Sequence, residues 1–572
     1  MEPDQPSAPL VMASPARRAI VLMLCALVIG GAASLAAIAL TDAVLWLNDV
    51  LLIAPRARVQ YEDVGMLVSV ATVAVPALGG LIVALIWRYL SSAGRVLGPP
   101  DVIEAVQFER PLPDMRSGAA ATLAAMVSLG FGASVGQYGP MVYLGAMLGG
   151  LVRRLRLGVP NLPAIGVACG VAAAIATAFN APVAGLVFAH EVVLRHYSTQ
   201  AFAPTTVSAV TGYVLANVVF ERPALFLVQF EGVEHGYEFV LFGVLGLLCA
   251  ALAMVFMRLI LRAAGYAAQS PLPAVLRPAV AGMALGLTAL WLPDVLGIGK
   301  ETLRFATIEG AFGAGELAVL VAAKITLTAL CIGFGFAGGV FSPALLIGSL
   351  FGALFWTAVD STGLLTTSGI AVYAICGMMA LTSPVIGAPL TTILIVFELT
   401  RNYDITIAAM VAVVFSNLIA HRFFGRSLFD VQLARRGTDL SAGRDRARLQ
   451  AMPITTCLTT GMIRAEKGEP LDDVQARLAA SPWSEAYMTD TSGRFLGVLP
   501  QGGQTPTAPP LQFHESTTVL DAMQALRGFI GDGIPVVHSQ SGVLIGVVSE
   551  ASVIEAYLDI SQSLRREENA VL

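Results

Sequence analysis

Hydrophobic positions fill long blocks through the first 436 residues, and Gly and Pro break those blocks again and again. Three stretches, 19–40, 66–90 and 238–260, approach or exceed the ~20 apolar residues that a spanning helix needs. Others are too short or too interrupted to be simple spans. Near residue 437 the pattern changes: "GTDLSAGRDRARLQ" is polar, and residues 452–562 read as soluble. Within that tail "SGRFLGVLP" at 492–500 returns as "SGVLIGVVS" at 541–549, an offset of 49 residues. Each copy follows an amphipathic helix pattern ("LDDVQARLAA", "VLDAMQALRGF") and a short strand ("EAYMTD", "IPVVHS"). Helix, strand, Ser-Gly turn and strand, twice over, predict a paired small α/β module. The expected organisation is a polar N-terminal tail (1–15), a membrane domain (16–436), a linker (437–451), two α/β copies (452–506 and 507–562) and a polar C-terminal tail (563–572).

Composition agrees. The 572 residues are 56% hydrophobic and 13% charged, with a mean hydropathy of +0.75, whereas soluble domains carry roughly a quarter charged residues. This is a membrane protein. The first apolar run is too long for a signal-peptide core and is read as retained. The net charge of −5 says less than its distribution. Arg17 and Arg18, then Arg153, Arg154 and Arg156, then Arg422, Arg426, Arg435 and Arg436 flank apolar segments. Positive flanks face the cytoplasm, which places the N-terminus and the end of the last membrane segment on that side. The six cysteines have neither metal spacing nor a disulfide framework. No nucleophile, base and orienting group fall together, so catalysis is not expected.

The membrane part carries a two-fold theme as well. "GQYGPMVYLGAMLGG" (136–150) and "GGVFSPALLIGSLFGAL" (338–354) share one grammar of glycines, an aromatic residue, a proline and an apolar helical run. Corresponding Gly/Pro-interrupted segments in two halves point to an inverted-repeat transporter with its site at mid-membrane. A helix that starts there aims unpaired N–H groups and its positive dipole end at the centre. Such ends converging hold a small anion without a full positive charge, weakly enough for it to leave.

With these residues in view, "GGVFSP" (338–343) resembles the GxFxP signature of the CLC chloride channel and transporter family. "FNAPVAGLVFAHE" (179–191) resembles its conserved apolar segment, "GQYGP" falls where the family has GREGP, and "GPPDVIEAV" (98–106) resembles the end of its GSGIP segment. The repeated tail resembles a tandem of cystathionine-β-synthase-type (CBS) domains, a common appendage of the family. The resemblance runs from about residue 20 to 560. It implies an all-α membrane fold of about eighteen mostly tilted or broken helices in an inverted repeat, followed by a cytoplasmic α/β CBS tandem. It further implies a homodimer embedded in membrane lipid, one chloride pathway per subunit, and anion contacts around Leu97, Gly98, Tyr138, Gly139, Gly339, Val340, Phe341 and Phe429.

Four departures from the family pattern bear on function. The gating glutamate of GREGP is replaced by Tyr138, whose hydroxyl, ionising near pH ~10, stays neutral and can donate a hydrogen bond to chloride. The inner proton-site glutamate corresponds to Val192, leaving His190 and Glu191 as a candidate substitute relay or as groups at a wet cytoplasmic helix end. The serine of GSGIP aligns with Leu97, and the inner tyrosine of the last membrane helix aligns with Phe429. Two hydroxyl donors are thus lost and one appears at the gate. Tyr138 is read either as a partial replacement for them, sharing chloride with the amides of Gly339, Val340 and Phe341, or as an aromatic stopper. In the tail, the nucleotide pattern Gly-x-x-Ser/Thr-x-x-Asp is matched by Gly546 and Ser549 but has Ser552 in place of the acid. That favours a structural or dimer-stabilising role over adenine-nucleotide binding, and no other cofactor, metal or nucleic acid is expected. The reading is a passive chloride channel in a bacterial plasma membrane. An antiporter with an unusual proton route, an anion channel with a non-chloride preference, a fluoride exporter, and a non-conducting scaffold with a sensing tail are the alternatives.

Overall fold

The structure is a computed structural model that describes residues 14–51, 65–155, 157–222, 232–441, 443–509, 511–529 and 531–569. Arg156 and the tails 1–13 and 570–572 lie outside the described residues. Two compact units divide the chain, one ending at Leu433 and the other running from Ala434 to Asn569.

The first unit is all helical. In chain order its helices are α1 Pro15–Val50, α2 Met66–Tyr89, α3 Pro99–Gln107, α4 Met115–Gly130, α5 Tyr138–Gly150, α6 Leu162–Phe179, α7 Pro182–Leu194, α8 Thr199–Val219, α9 Glu238–Gln269, α10 Arg277–Ala289, α11 Lys300–Phe305, α12 Ala314–Gly333, α13 Phe341–Asp360, α14 Ile370–Ile386, α15 Pro389–Thr400, α16 Tyr403–Phe423 and α17 Leu428–Arg435. Their lengths follow from punctuation rather than from apolar content. Pro opens α1, α3, α7, α10 and α15 at the first or second position, where a missing N–H has no intrahelical partner to lose.

The two halves repeat each other closely. Helix α6 ends on Asn180 (φ +56°) and α14 on Gly387 (φ +73°), both left-handed caps, and each is followed by Ala-Pro and a new helix, α7 or α15. Those helices end on Arg195 (φ +59°) and Arg401 (φ +52°). The crossing of α5 with α6 is also repeated by α13 with α14. A Cβ on Gly149 would lie 1.9 Å from the Gly166 carbonyl oxygen, and one on Gly352 would lie 2.2 Å from that of Tyr373. Small residues let membrane helices approach this closely and gain packing that lipid cannot supply. Position follows: α6 is mostly buried and α1 mostly is not, so α6 is central and α1 peripheral. Leu24, Val28, Leu85, Val240 and Leu418 face outward, as a lipid-facing surface requires.

In the second unit, strands β1 Ile463–Glu466, β2 Glu485–Thr489 and β3 Phe495–Pro500 form one sheet, and β4 Phe513–His514, β5 Ile534–Val537 and β6 Leu544–Val548 the other. Each sheet pairs its first two strands in parallel and its last two antiparallel, with a register shift at Met488/Thr489 and at Val536/Val537. The two Ser-Gly turns meet: Phe495 N–H donates to Gly542 O at 2.9 Å and Leu544 N–H to Gly493 O at 3.0 Å.

Here the expected boundaries need correction. Residues 444–451 are not linker but helix α18 (Arg444–Ala451), and the supposed polar tail continues helix α21 (Glu550–Glu568); between them lie α19 (Leu471–Ala479) and α20 (Val519–Ala525). Leu449 and Leu564 enter a core with Ile454, Val536, Val548 and Val553. Arg444 and Arg448 both bind Glu567, the latter at 3.0 Å. A few buried apolar positions hold these helices where their mean polarity suggested none.

Candidate functional site

The two glycine-rich motifs meet head to head. Gly136 N–H donates to Gly339 O and Gly339 N–H to Gly136 O, both at 2.7 Å, an antiparallel two-bond bridge between the halves. Helix α5 begins two residues after one glycine and α13 two residues after the other. A Cβ on Gly339 would lie 2.8 Å from Gly139 N, and one on Gly136 would lie 2.8 Å from Gly339 O, so both positions must be glycine. The bridge commits the Gly339 amide, which was expected to hold an anion. The amides of Val340 and Phe341 on one side, and of Tyr138 and Gly139 on the other, have no acceptor among the described residues. These first-turn donors, with two dipole ends behind them, are what the junction offers a negative charge.

Over this junction lies an aromatic cluster. Tyr138 is buried, stacked on Phe179 with ring centres 4.2 Å apart, and meets Phe341 edge-on at 5.3 Å. Phe341 in turn contacts Phe179 at 5.2 Å and Phe188 at 6.5 Å. Tyr138, Gln137 and Phe179 also line a cavity of about 420 Å³ walled in part by Asn180, Lys300 and Arg304. The Gln137 side chain is buried and its Oε1 has no partner among the described residues.

The third helix start differs. Gly98 N–H is held by Asp101 Oδ2 at 2.8 Å, and the next two residues, Pro99 and Pro100, have no N–H. Arg95 neutralises Asp101 at 2.5 Å. Helix α3 therefore reaches the junction, with Pro99 Cδ 3.6 Å from where a Gly139 Cβ would stand, but presents it no free donor. The Gly98 amide, expected among the anion contacts, is thus committed to Asp101, and Leu97 is buried with an apolar side chain that carries no hydroxyl. Phe429 is also buried and makes no ring contact among the described residues. Its helix is fixed by Asp430, which accepts from Ser427 Oγ at 2.7 Å and pairs with Arg195 at 2.6 Å.

At the end of α7 the chain widens to a π-turn over Ala189–Leu194, and Gln107 Nε2 satisfies the Val193 and Leu194 carbonyls at 2.8 and 3.0 Å. Val192 is buried. His190 is fully buried rather than at a wet end, its ring nitrogens 3.0 Å from His196 O and 3.1 Å from Thr205 Oγ1. Glu191 is not placed as a relay: its two oxygens accept from Leu390 N, Thr391 N and Thr391 Oγ1 at 2.9, 2.9 and 2.7 Å, capping α15. Glu398 of α15 returns the cap, accepting from Val183 N at 3.0 Å and Ala184 N at 2.8 Å. Carboxylates at helix N-termini satisfy orphan donors and favour the dipole. The sequence reading missed this pair, although Ala-Pro is followed nine residues later by Glu in both halves (182 to 191, 389 to 398).

In the tail, Ser549 caps α21 and exchanges bonds with Ser552: Ser552 N donates to Ser549 Oγ at 3.1 Å and Ser549 N to Ser552 Oγ at 3.2 Å. A Cβ on Gly546 would meet Leu458 at 2.7 Å. Ser549 and Ser552 form a capping box, and Gly546 packs closely against Leu458.

Bridged helix starts from two inverted halves, inside a bundle of long apolar helices, define a multi-pass membrane protein of the inverted-repeat transport class. Residues 79–421 match the family model described as voltage gated chloride channel, and residues 503–559 that of the CBS domain. The chain belongs to the CLC family of chloride channels and transporters. It is 33% identical over 378 residues to a protein of Ralstonia nicotianae named for its likeness to the chloride channel ClcB, covering 64% of this chain and 87% of that one. It is 29% identical over 430 residues to the H(+)/Cl(-) exchange transporter ClcA of Cronobacter sakazakii, covering 73% and 90%. Its fold matches that of a slow cyanobacterial Cl-/H+ antiporter with a TM-score of 0.64 at 22% identity, covering 73% and 97%.

Proposed function

We propose that this protein is a passive, uncoupled chloride channel in which Tyr138 is the gate. The observation that carries this reading is the place of Tyr138. It is the first residue of α5, at a junction whose four amides without acceptors among the described residues include its own, with its ring stacked on Phe179. Proton coupling needs a side chain that alternates between charged and neutral near physiological pH, and the tyrosine hydroxyl does not. The matching inner position, Val192, carries no proton either, and Glu191 is held as a cap. Chloride is stabilised at the junction by the amides of Val340, Phe341 and Gly139 and by the Tyr138 hydroxyl. An aromatic pair of this kind is worth ~1 kcal/mol beyond its burial, so the stack adds to the cost of uncovering the buried ring and holds the gate closed at rest. Two copies form the working dimer in a bacterial plasma membrane, with both termini cytoplasmic, and the CBS tandem serves structure rather than nucleotide sensing.

Chloride flux from liposomes carrying the purified protein, with and without an imposed proton gradient, tests this. Movement down the chloride gradient alone, indifferent to the pH gradient, is the expected outcome. Uphill uptake driven by a pH gradient overturns it and favours the exchanger reading, for which the named exchangers among the relatives speak.

A further inference from the structure

Two neighbouring helices of the membrane unit end in arginines. Along α9, Val244, Leu248, Val255, Arg258 and Arg262 are exposed, and their spacing sets them on one helix face. Along α16, Phe415, Leu418 and Arg422 are exposed and share a face in the same way, and the exposed Arg426 follows in the turn beyond that helix. Each face is thus apolar for most of its length and cationic at its end. The two helices lie side by side. A Cβ on Gly243 would be 3.4 Å from the Phe415 ring, and one on Gly246 would be 2.3 Å from the Ala412 carbonyl oxygen. Further along, Arg258 Nη2 donates to Phe423 O at 3.2 Å. The helices therefore run parallel and bring their arginines to the same end.

Arginine at a helix end needs no ligand to explain it, because a positive flank sets orientation and complements the last carbonyls. Two observations go beyond that. Arg258, Arg262, Arg422 and Arg426 form no ion pair among the described residues, and Asp430, four residues past the last of them, is taken by Arg195 and Ser427. Like charges gathered without a counterion create a local field that draws an anion. Arg258 is also anchored to backbone, so part of the cluster is ordered before anything binds. Forked guanidinium donors match phosphate oxygens. A phosphate in the headgroup layer brings acyl chains with it, and the apolar stripes that run into the arginines are the surface those chains need.

We propose that the arginine-bearing ends of α9 and α16 hold the phosphate of an anionic phospholipid, with its acyl chains along the two apolar stripes. The headgroup then sits at the turn that leads from α16 into α17 and steadies it. The site is independent of whether transport is passive or proton-coupled.

The test uses the purified full chain in detergent, with phosphatidylglycerol as the probe and phosphatidylcholine of the same acyl chains as its neutral counterpart. Native mass spectrometry reads the lipid retained, and thermal melting reads its effect. The unaltered chain should retain phosphatidylglycerol and melt later with it, and do neither with phosphatidylcholine. Arg262→Gln, Arg422→Gln and Arg426→Gln should each weaken retention about fivefold, and the three together about a hundredfold. Arg258 is left in place because it holds the Phe423 carbonyl. Lysine at the same three positions keeps the charge and should keep most of the retention. The control is Arg153→Gln with Arg154→Gln, an exposed basic flank just beyond α5, which should retain lipid as the unaltered chain does. Equal loss in the control and the cluster variants overturns the proposal, since diffuse charge would then suffice. Equal retention of phosphatidylcholine overturns it too, as does displacement of phosphatidylglycerol by equimolar inorganic phosphate. If the triple variant does not fold, the single variants decide: a fivefold loss in each supports the site, and unchanged retention in all three overturns it.

Discussion

Three helix starts crowd the centre of the membrane unit, and two of them keep first-turn amides without acceptors among the described residues. The starts of α5 and α13 keep two amides each without acceptors among the described residues, whereas α3 has its donor held by Asp101 and its next two N–H groups replaced by proline. The dipole argument alone treats all three alike. What separates them is the local count of N–H groups, and proline with a capping acid can cancel a site that position and glycine content announce.

The largest test of this contrast is steric. Gly339→Ala forces a methyl to within 2.8 Å of Gly139 N, while a Cβ on Gly98, where φ is −172°, meets nothing nearer than Pro100 Cδ at 3.9 Å. We expect Gly339→Ala to lose more than ~90% of chloride flux and to melt earlier, since overpacking against backbone costs ~1–3 kcal/mol or more. Gly98→Ala should keep flux within about twofold. Equal damage from both, in the same liposome assay, would place α3 inside the pathway.

Next comes the ring over the junction. Tyr138→Ala removes the stack on Phe179 and should raise flux roughly fivefold, as losing ~1 kcal/mol of aromatic contact implies. Tyr138→Phe keeps the stack and removes the hydroxyl. If that hydroxyl donates to chloride, half-saturating chloride rises about fivefold with little change in maximal rate. Unchanged affinity sinks coordination and leaves Tyr138 a stopper. Tyr138→Glu converts the neutral gate to a titratable one. Its carboxylate competes with chloride when ionised and withdraws when protonated, so flux should rise several-fold from pH 7 to pH 5, while the wild type changes by less than about twofold.

The smallest effects separate the halves themselves. Glu191→Gln and Glu398→Gln each exchange an ionised cap for a neutral one. Each should lower stability by about 1–2 kcal/mol, read as earlier thermal melting, with no new response to a pH gradient. A coupling change confined to Glu191 would restore it as a proton carrier.

Class and repeat were legible in the sequence because they rest on pattern. Blocks of apolar residues, the paired glycine-aromatic-proline motifs and the 49-residue echo in the tail all came through in the structure. Individual donors were not legible, since whether an amide is free depends on a partner far along the chain. The Gly339 amide, read as an anion donor, is engaged for that reason, its acceptor being Gly136. Glu191 was read from its neighbour His190, although its partners, Leu390 and Thr391, stand about 200 residues away. Helix α18 was hidden by its polarity, and two buried positions, Ala447 and Leu449, were too few to register as a period.

The bridge between Gly136 and Gly339 also bears on biosynthesis. Helices enter the bilayer in order, but this bridge joins residues about 200 positions apart, a loop that closes only after both ends exist. A nascent chain that has delivered α5 but not α13 therefore holds Tyr138 without the facing Val340 and Phe341 amides. The contact that joins the two halves at their centre is therefore among the last to form.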